Sequence, residues 1–495
     1  MKLISTRNSD NEQSASFAIE NGIAKDKGLF SPVDLKVFTK EEIEGFVDLD
    51  YQQLATKILV ELLDDFTEEE VKSCVYSAYT KEKFDGDIAP VKELGEKLYC
   101  LELWHGKTFA FKDIALSILP YLLTISMKKQ KQDKTALILV ATSGDTGKAA
   151  LEGFKDVENT KILVFYPQEG VSDIQKLQMQ TQEGDNVFVC GINGNFDDAQ
   201  TAVKQIFTDE NIKEKIKKEN YFFSSANSIN YGRLAPQIVY YFSSYLDLLK
   251  NGKIKSGEKI NFVVPTGNFG DILAGFYAKK MGLPINKLIC ASNKNNVLTD
   301  FILNGVYDKD RYFFKTNSPS MDIIISSNLE RLLFEIAEYD SDLINTYMDE
   351  LEKNKKYRVK AIIKDKIRDQ IYPGFAYERE TREAILACRT KYKYVIDTHT
   401  AVAYYVYGEY KKKTGDKTTT VIVSTASPYK FSEDVLSAIS LKDYSEKTEL
   451  EKINKLALMS KTNPPKTLTE LLDKKPIYTK TINKEEISDI VLNQL

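Results

Sequence analysis

An α/β fold of parallel sheets, preceded by a mainly helical N-terminal region, is the class this sequence predicts, and three observations predict it. Short apolar, β-branched runs recur through the middle of the chain, each followed by a helical pattern. Each run ends in a loop of small and polar residues. The first ninety residues lack such runs and read as helices with acidic patches.

In chain order, Lys40 to Phe46, Tyr51 to Asp64 and Glu68 to Tyr79 read as the N-terminal helices. Ile114 to Met127 carries no charge and is mostly apolar, which marks a buried helix. Strands follow at Ala136 to Ala141, Lys161 to Tyr166, Asn186 to Cys190 and Tyr221 to Ser224. Two more lie at Ile260 to Val264 and Thr420 to Ser424. Continuous rather than alternating apolar character indicates strands buried on both faces, as in parallel sheets. Helical patterns occupy Gln237 to Leu248 and Ile272 to Met281. Asn328 to Cys388 reads as mostly helical and charged, broken at Tyr372-Pro373-Gly374. The expected division is a helical region over 1–95, a large α/β domain from 96–135 and 230–440, a small one over 136–229, and a helical segment over 441–495.

Composition removes several classes of function. The formal net charge is −4 with 28% charged residues, so no broad basic surface points to nucleic acid. Five cysteines, widely spaced and without C-x-x-C, argue against a disulfide framework or zinc site and fit a reducing cytoplasm. Only His105 and His399 are histidines, which leaves no multi-histidine metal site, and no metal is expected. The Ile114 to Met127 run is too short to span a bilayer, and no secretory signal is visible at Met1 to Arg7, so no membrane partner is expected.

The loops carry the chemistry. Lys112 follows Trp104 to Phe111 and opens the apolar helix, where burial and the helix N-terminus both disfavour an ammonium. A neutral lysine amine is a nucleophile suited to Schiff-base formation, whereas an ordinary lysine would carry its charge into water. Pro265-Thr-Gly267-Asn268-Phe269-Gly270-Asp271 runs from a strand into a helix and suits a phosphate group, or is a plain strand-to-helix turn. Thr142-Ser143-Gly-Asp145-Thr146-Gly-Lys148 has the same placement. Thr142 and Ala149 depart from G-x-x-x-x-G-K-[ST], so it reads as a small anion cradle and not a nucleotide-triphosphate loop. Arg233 can hold a second anion bidentately, or sit exposed at a helix start. Thr425 ends its strand with a hydroxyl able to meet a ring nitrogen. His105 is given no role.

Taken together these blocks resemble the threonine synthases, pyridoxal-phosphate enzymes of fold type II. The matching stretches are His105 to Asp113, Ala141 to Gly147, Asn227 to Asn230, Pro265 to Asp271, Pro319 to Asp322, Ser327 to Arg331, Asp397 to Ala401 and Thr425 to Phe431. Ser5-Thr-Arg7 and Gly28 to Pro32 resemble the family's N-terminal signature. Lys107, Thr398 and Ser427 stand where the family usually has proline, proline and histidine.

The resemblance implies two parallel-sheet α/β domains and a cytoplasmic lyase that ends threonine biosynthesis. It would convert O-phospho-L-homoserine and water into L-threonine and phosphate. Lys112 would hold pyridoxal 5'-phosphate as a Schiff base. Gly267, Asn268, Phe269, Gly270 and Asp271 would hold the cofactor phosphate, and Thr425 would meet its ring nitrogen. Ser143, Asp145 and Thr146 would line the side of the substrate carboxylate, with Asn230 and Arg233 for the substrate phosphate. A phospho-lyase forming 2-oxobutyrate and ammonia, and a non-catalytic cofactor-binding homologue, are the alternatives. Oligomeric state is not readable.

Overall fold

The structure, a computed structural model, describes residues 1–142, 144–168, 171–194 and 196–495, with side chains except those of Phe196, Asp197, Gln200, Lys204 and Thr208. Two sheets organise it. The larger runs in the order Ile371–Phe375, Ile285–Ser292, Ile260–Pro265, Thr420–Ser424, Leu98–Glu102, Val91–Gly95, parallel except for the last pair. The smaller runs Thr481–Ile482, Val187–Ile192, Thr160–Pro167, Thr135–Ala141, Tyr221–Ser224 and is parallel throughout. The apolar runs read from sequence are strands of these sheets; most are buried along nearly their whole length, Tyr221–Ser224 lies half-buried at an edge, and the inner strands Leu98–Glu102 and Ile285–Ser292 are additional to those runs.

Three features depart from the sequence reading. Residues 371–375 form an edge strand where a break between helices was expected; Pro373 lacks an N–H for further pairing and is tolerated at an edge. The N-terminal region also carries an antiparallel sheet of Asn8–Gln13, Lys2–Ser5 and Phe30–Val33. The C-terminal segment is not purely helical, since Thr481–Ile482 extends the smaller sheet.

Two packing devices set the geometry of the site. Pro120 lies inside helix Lys112–Lys129 and has no N–H to give to the Leu116 carbonyl. Helix Asp145–Phe154 crosses just there: a Cβ added at Gly153 would lie 2.1 Å from the Leu116 oxygen. Glycine therefore permits a backbone-to-backbone approach that fixes Asp145 relative to Lys112. Second, Arg7 grips both oxygens of Glu330 at 3.0 Å, and Thr6 donates to the same carboxylate at 2.6 Å. Arg331 donates to the Phe30 carbonyl at 2.8 Å and to the Ile229 carbonyl at 2.6 Å. The N-terminal sheet thus clamps helix Leu329–Ile336 against the loop leading to Arg233. Among the described residues no helix is long and apolar enough to cross a membrane, and no group of His, Cys, Asp and Glu could hold a metal ion.

Candidate active site

Lys112 is the first residue of helix Lys112–Lys129, and the loop before it is tied down at three points. Asp113 accepts from the Thr108 N–H at 2.8 Å and from its hydroxyl at 2.6 Å. Gly106 packs so closely on Asp113 that a Cβ would lie 2.5 Å away. The Phe111 N–H donates to the Thr425 carbonyl at 2.8 Å, which sets the end of strand Thr420–Ser424 beside the lysine. Burial lowers the pKa of Lys112; the charges of Lys430 and Arg233 lower it further, against an opposing pull from Asp145. The partial positive charge of the helix N-terminus acts in the same direction as burial.

Asp145, at the start of helix Asp145–Phe154, is the node of the cluster. Lys430 reaches Oδ1 at 2.7 Å, Gln175 donates to Oδ1 at 2.7 Å, the Ser320 hydroxyl donates to Oδ2 at 2.9 Å, and the Lys112 Nζ lies 3.6 Å from Oδ2. Burial alone would raise its pKa, but the Lys430 and Lys112 ammoniums hold it far below the usual carboxylate range. Lys430 also donates to the Thr108 carbonyl at 2.7 Å, so both of its contacts return to the loop and helix that frame Lys112. The Lys112 Nζ is 3.4 Å from the Ser320 hydroxyl. The Ser320 N–H donates to His399 Nε2 at 3.1 Å, which leaves Nδ1–H to face Asp397 at 2.9 Å.

Opposite in character is Arg233. It is 3% exposed, gives one hydrogen bond to the Ala226 carbonyl at 3.0 Å, and leaves Nε without a partner. Burial lowers its pKa to about 10, and no carboxylate among the described residues offsets that cost. An isolated buried charge costs several kcal/mol, which an anion placed against this guanidinium would offset.

The strand-to-helix loop at 265–271 lies against the same cluster. Gly267 packs on the Ser320 carbonyl, 2.9 Å from where a Cβ would stand. Asn328 donates to the Asn268 carbonyl from its N–H at 3.2 Å and its amide at 3.0 Å. Phe269 takes the left-handed conformation at φ 65°, which turns the chain into helix Gly270–Lys280 and presents that helix's first-turn N–H groups. Thr425 is 6% exposed next to Phe111.

Lys112, Asp145, Thr425, Arg233 and the loop at 267–270 are therefore brought together, with Thr146 half-buried beside Asp145. Ser143 lies outside the described residues. Three of the expected side chains are engaged within the protein itself. Asp145 is the counter-ion of Lys430 and Lys112. Asn230 caps helix Tyr231–Lys250, accepting from Gly232 N–H at 2.8 Å and giving its amide to the Ile19 and Ser225 carbonyls, so no amide proton remains for a phosphate. The Asp271 carboxyl accepts from the Tyr240 and Tyr241 hydroxyls at 2.6 and 2.8 Å, and only its backbone serves the loop. Sequence reasoning gave no role to Lys430, Ser320 or His399. All three sit inside the blocks quoted above, but their convergence spans more than two hundred residues of chain. A cavity of about 730 Å³ lies along the edge strand Ile371–Phe375 and is lined by none of these residues.

The sequence matches the family descriptions threonine synthase N terminus over residues 2–79, pyridoxal-phosphate dependent enzyme over 88–426, and threonine synthase, C-terminal, over 400–491. It is 38% identical over 442 residues to human threonine synthase-like 1, covering 87% of this chain but only 58% of that protein. It is 36% identical over 473 residues to threonine synthase of Saccharomyces cerevisiae, covering 90% of each. The crystal structure of PLP-bound threonine synthase from Brucella melitensis superposes with a TM-score of 0.88 at 33% identity, over 100% of this chain and 99% of that one. With the buried lysine, the glycine loop and the whole chain in register with such proteins, this chain belongs to the threonine synthase family of pyridoxal-phosphate-dependent enzymes.

Proposed function

We propose that the chain converts O-phospho-L-homoserine and water into L-threonine and phosphate, with pyridoxal phosphate held on Lys112. One observation carries the reading: Lys112 and Lys430 pair with a single carboxylate, Asp145, while Arg233, near enough to act on Lys112, has no counter-ion among the described residues. A site with surplus buried positive charge and a free helix N-terminus fits a phosphorylated cofactor together with a phosphorylated substrate.

In this reading Gly267, Asn268, Phe269 and Gly270 hold the cofactor phosphate through backbone N–H groups, and the Thr425 hydroxyl meets the ring nitrogen. Pyridoxal phosphate, when bound, supplies the electron sink for the substrate Cα. Lys112, its pKa depressed, takes protons from Cα and Cβ and returns them at Cγ and Cα. The Ser320 hydroxyl, bridging Lys112 and Asp145, holds the amine in line, and His399 fixes the Ser320 backbone from behind. Arg233 carries the substrate phosphate as the Cγ–O bond breaks and phosphate leaves with the electron pair. Water then adds at Cβ. Ser427 caps the turn Pro428–Phe431 through Tyr429 N–H at 3.4 Å and gives its own N–H to the Phe109 carbonyl at 3.0 Å, a role that needs no histidine. Five free, buried thiols support a cytoplasmic setting for this activity.

The test is the organic product formed by the pyridoxal-phosphate-loaded protein from O-phospho-L-homoserine. Threonine in step with phosphate is the expected result. Oxobutyrate and ammonia would replace it with elimination alone, and no product would leave a binding protein.

A further inference from the structure

A second cavity, of about 180 Å³, lies between helices Asp145–Phe154, Asp173–Gln180 and Lys466–Leu471, and residues 107 and 109 form part of its wall. None of Lys112, Asp145, Arg233 or Thr425 lines it. It is a polar chamber: four lysines and three glutamates face it, with the carboxamides of Gln178 and Gln182. Most of this charge is already matched. Lys148 pairs with Glu152 at 3.0 Å, Lys155 and Lys474 with Glu183 at 3.7 and 3.2 Å, and Glu470 with Lys466 outside the cavity at 3.4 Å. Gln182 accepts from Lys148 and donates to the Glu183 carbonyl.

Two groups are left over. Lys107 forms no ion pair among the described residues and acts on Glu152 and Glu82 only at longer range. Gln178, 2% exposed, has a buried side-chain oxygen with no hydrogen-bond donor among the described residues. A buried acceptor left unmade costs about 1–3 kcal/mol, which a donor from a ligand would recover. The leftover groups are thus one cation and one acceptor across a small chamber. A simple anion satisfies only the first and a simple amine only the second. At about 30 Å³ per water, the volume holds roughly six waters, or a molecule of that many non-hydrogen atoms.

We propose that this cavity binds a small α-amino acid as its zwitterion, with the carboxylate on Lys107 and the ammonium donating to the side-chain oxygen of Gln178. The site is separate from the reaction centre yet built into its surroundings. Gln178 lies one turn along the helix from Gln175, which donates to Asp145, and Lys107 precedes Thr108, whose carbonyl accepts from Lys430.

The test is calorimetric titration of the pyridoxal-phosphate-loaded protein with L-alanine, which has six non-hydrogen atoms, with cofactor visible absorbance recorded in parallel to report occupancy of the reaction centre. The expected result is a binding event that leaves the absorbance unchanged. It should weaken at least tenfold in Gln178→Leu and in Lys107→Met, each checked by thermal melting to retain its fold. Propionate and ethylamine, each carrying half the zwitterion, should bind at least tenfold more weakly than the amino acid. Heat that appears only with the absorbance change, affinity unmoved by both substitutions, or propionate or ethylamine binding as well as the amino acid would each overturn the assignment. None of these readouts depends on which product the reaction centre forms.

Discussion

Asp145 and Asp271 occupy matching places on the two sheets. Each lies in the first turn of a helix that follows a strand and a glycine-containing loop, and each is buried. Their chemistry is opposite. Asp145 is held far below the usual carboxylate range by Lys430 and Lys112, while burial pushes Asp271 up to about 6, against only two tyrosine hydroxyls. The same loop grammar therefore produces a carboxylate held ionised on one sheet and a carboxyl that takes up a proton near pH 6 on the other. What decides is the cation brought from distant sequence, and position at a helix start decides little. Asp145 organises charge around Lys112; Asp271 steadies the loop by gripping helix Tyr231–Lys250.

Removing the cation that separates the two should have the largest effect. Lys430→Met leaves Asp145 with less compensation inside the protein, and breaking a buried pair in this way costs about 3–5 kcal/mol. Chemical denaturation should show that loss together with near-complete loss of turnover; retained stability would mean that Lys430 is not the partner Asp145 needs. Arg233→Met should do the reverse. Without a counter-ion among the described residues, its loss should leave stability unchanged or higher, while kcat/KM falls by roughly 10²- to 10³-fold, or about 3–4 kcal/mol of transition-state stabilisation. A large drop in stability with normal kinetics would move Arg233 from ligand binding to the fold.

The two carboxylates also predict opposite dependences on pH. Asp271 has a folded-state pKa of about 6 against 3.8 in the unfolded chain, so its contribution is fully present below 3.8 and is lost as pH rises through about 6. Relative to Asp271→Asn, the natural protein should be more stable at pH 4 than at pH 7.5 by up to about 3 kcal/mol. Asp145 works the other way: its folded-state pKa is depressed, so its contribution is present above 3.8 and is lost as pH falls below that value. Comparing both asparagine variants with the natural protein across pH 3 to 8 separates them. Smallest in expected effect is Gly153→Ala, whose Cβ would press on the Leu116 carbonyl and force the two helices apart. Overpacking of this kind costs about 1–3 kcal/mol, and because the shift displaces Asp145 from Lys112, kcat should fall alongside the melting temperature.

Much of this was legible in the chain because burial writes itself locally. Inner strands such as Thr135–Ala141 and Ile260–Pro265 announce themselves as apolar runs, whereas Ile285–Ser292, broken by Asn286 and Lys287, does not; Lys112 stands out against the uncharged run Ile114 to Met127. Arg233 was readable as an anion holder, though its lack of a counter-ion was not. Pairing is non-local, and there the reading ran out. Lys430 meets Asp145, and Ser320 meets Lys112, only after folding closes loops of roughly two hundred to three hundred residues. Asn230 looked like a ligand-binding amide because a capping asparagine and a binding one have the same sequence context; its bond to Ile19 reveals the difference. Residues 371–375 were misread because Pro373 and Gly374 punctuate a loop and an edge strand alike.

The central claim is that Lys112 alone, among the buried lysines of the cluster, carries the cofactor. Borohydride reduction of the pyridoxal-phosphate-loaded protein followed by peptide mass mapping tests it directly. The added pyridoxyl mass should fall on the peptide containing Lys112, and Lys112→Ala should show neither the label nor threonine formation. A label on Lys430 instead, or full turnover without Lys112, would contradict it.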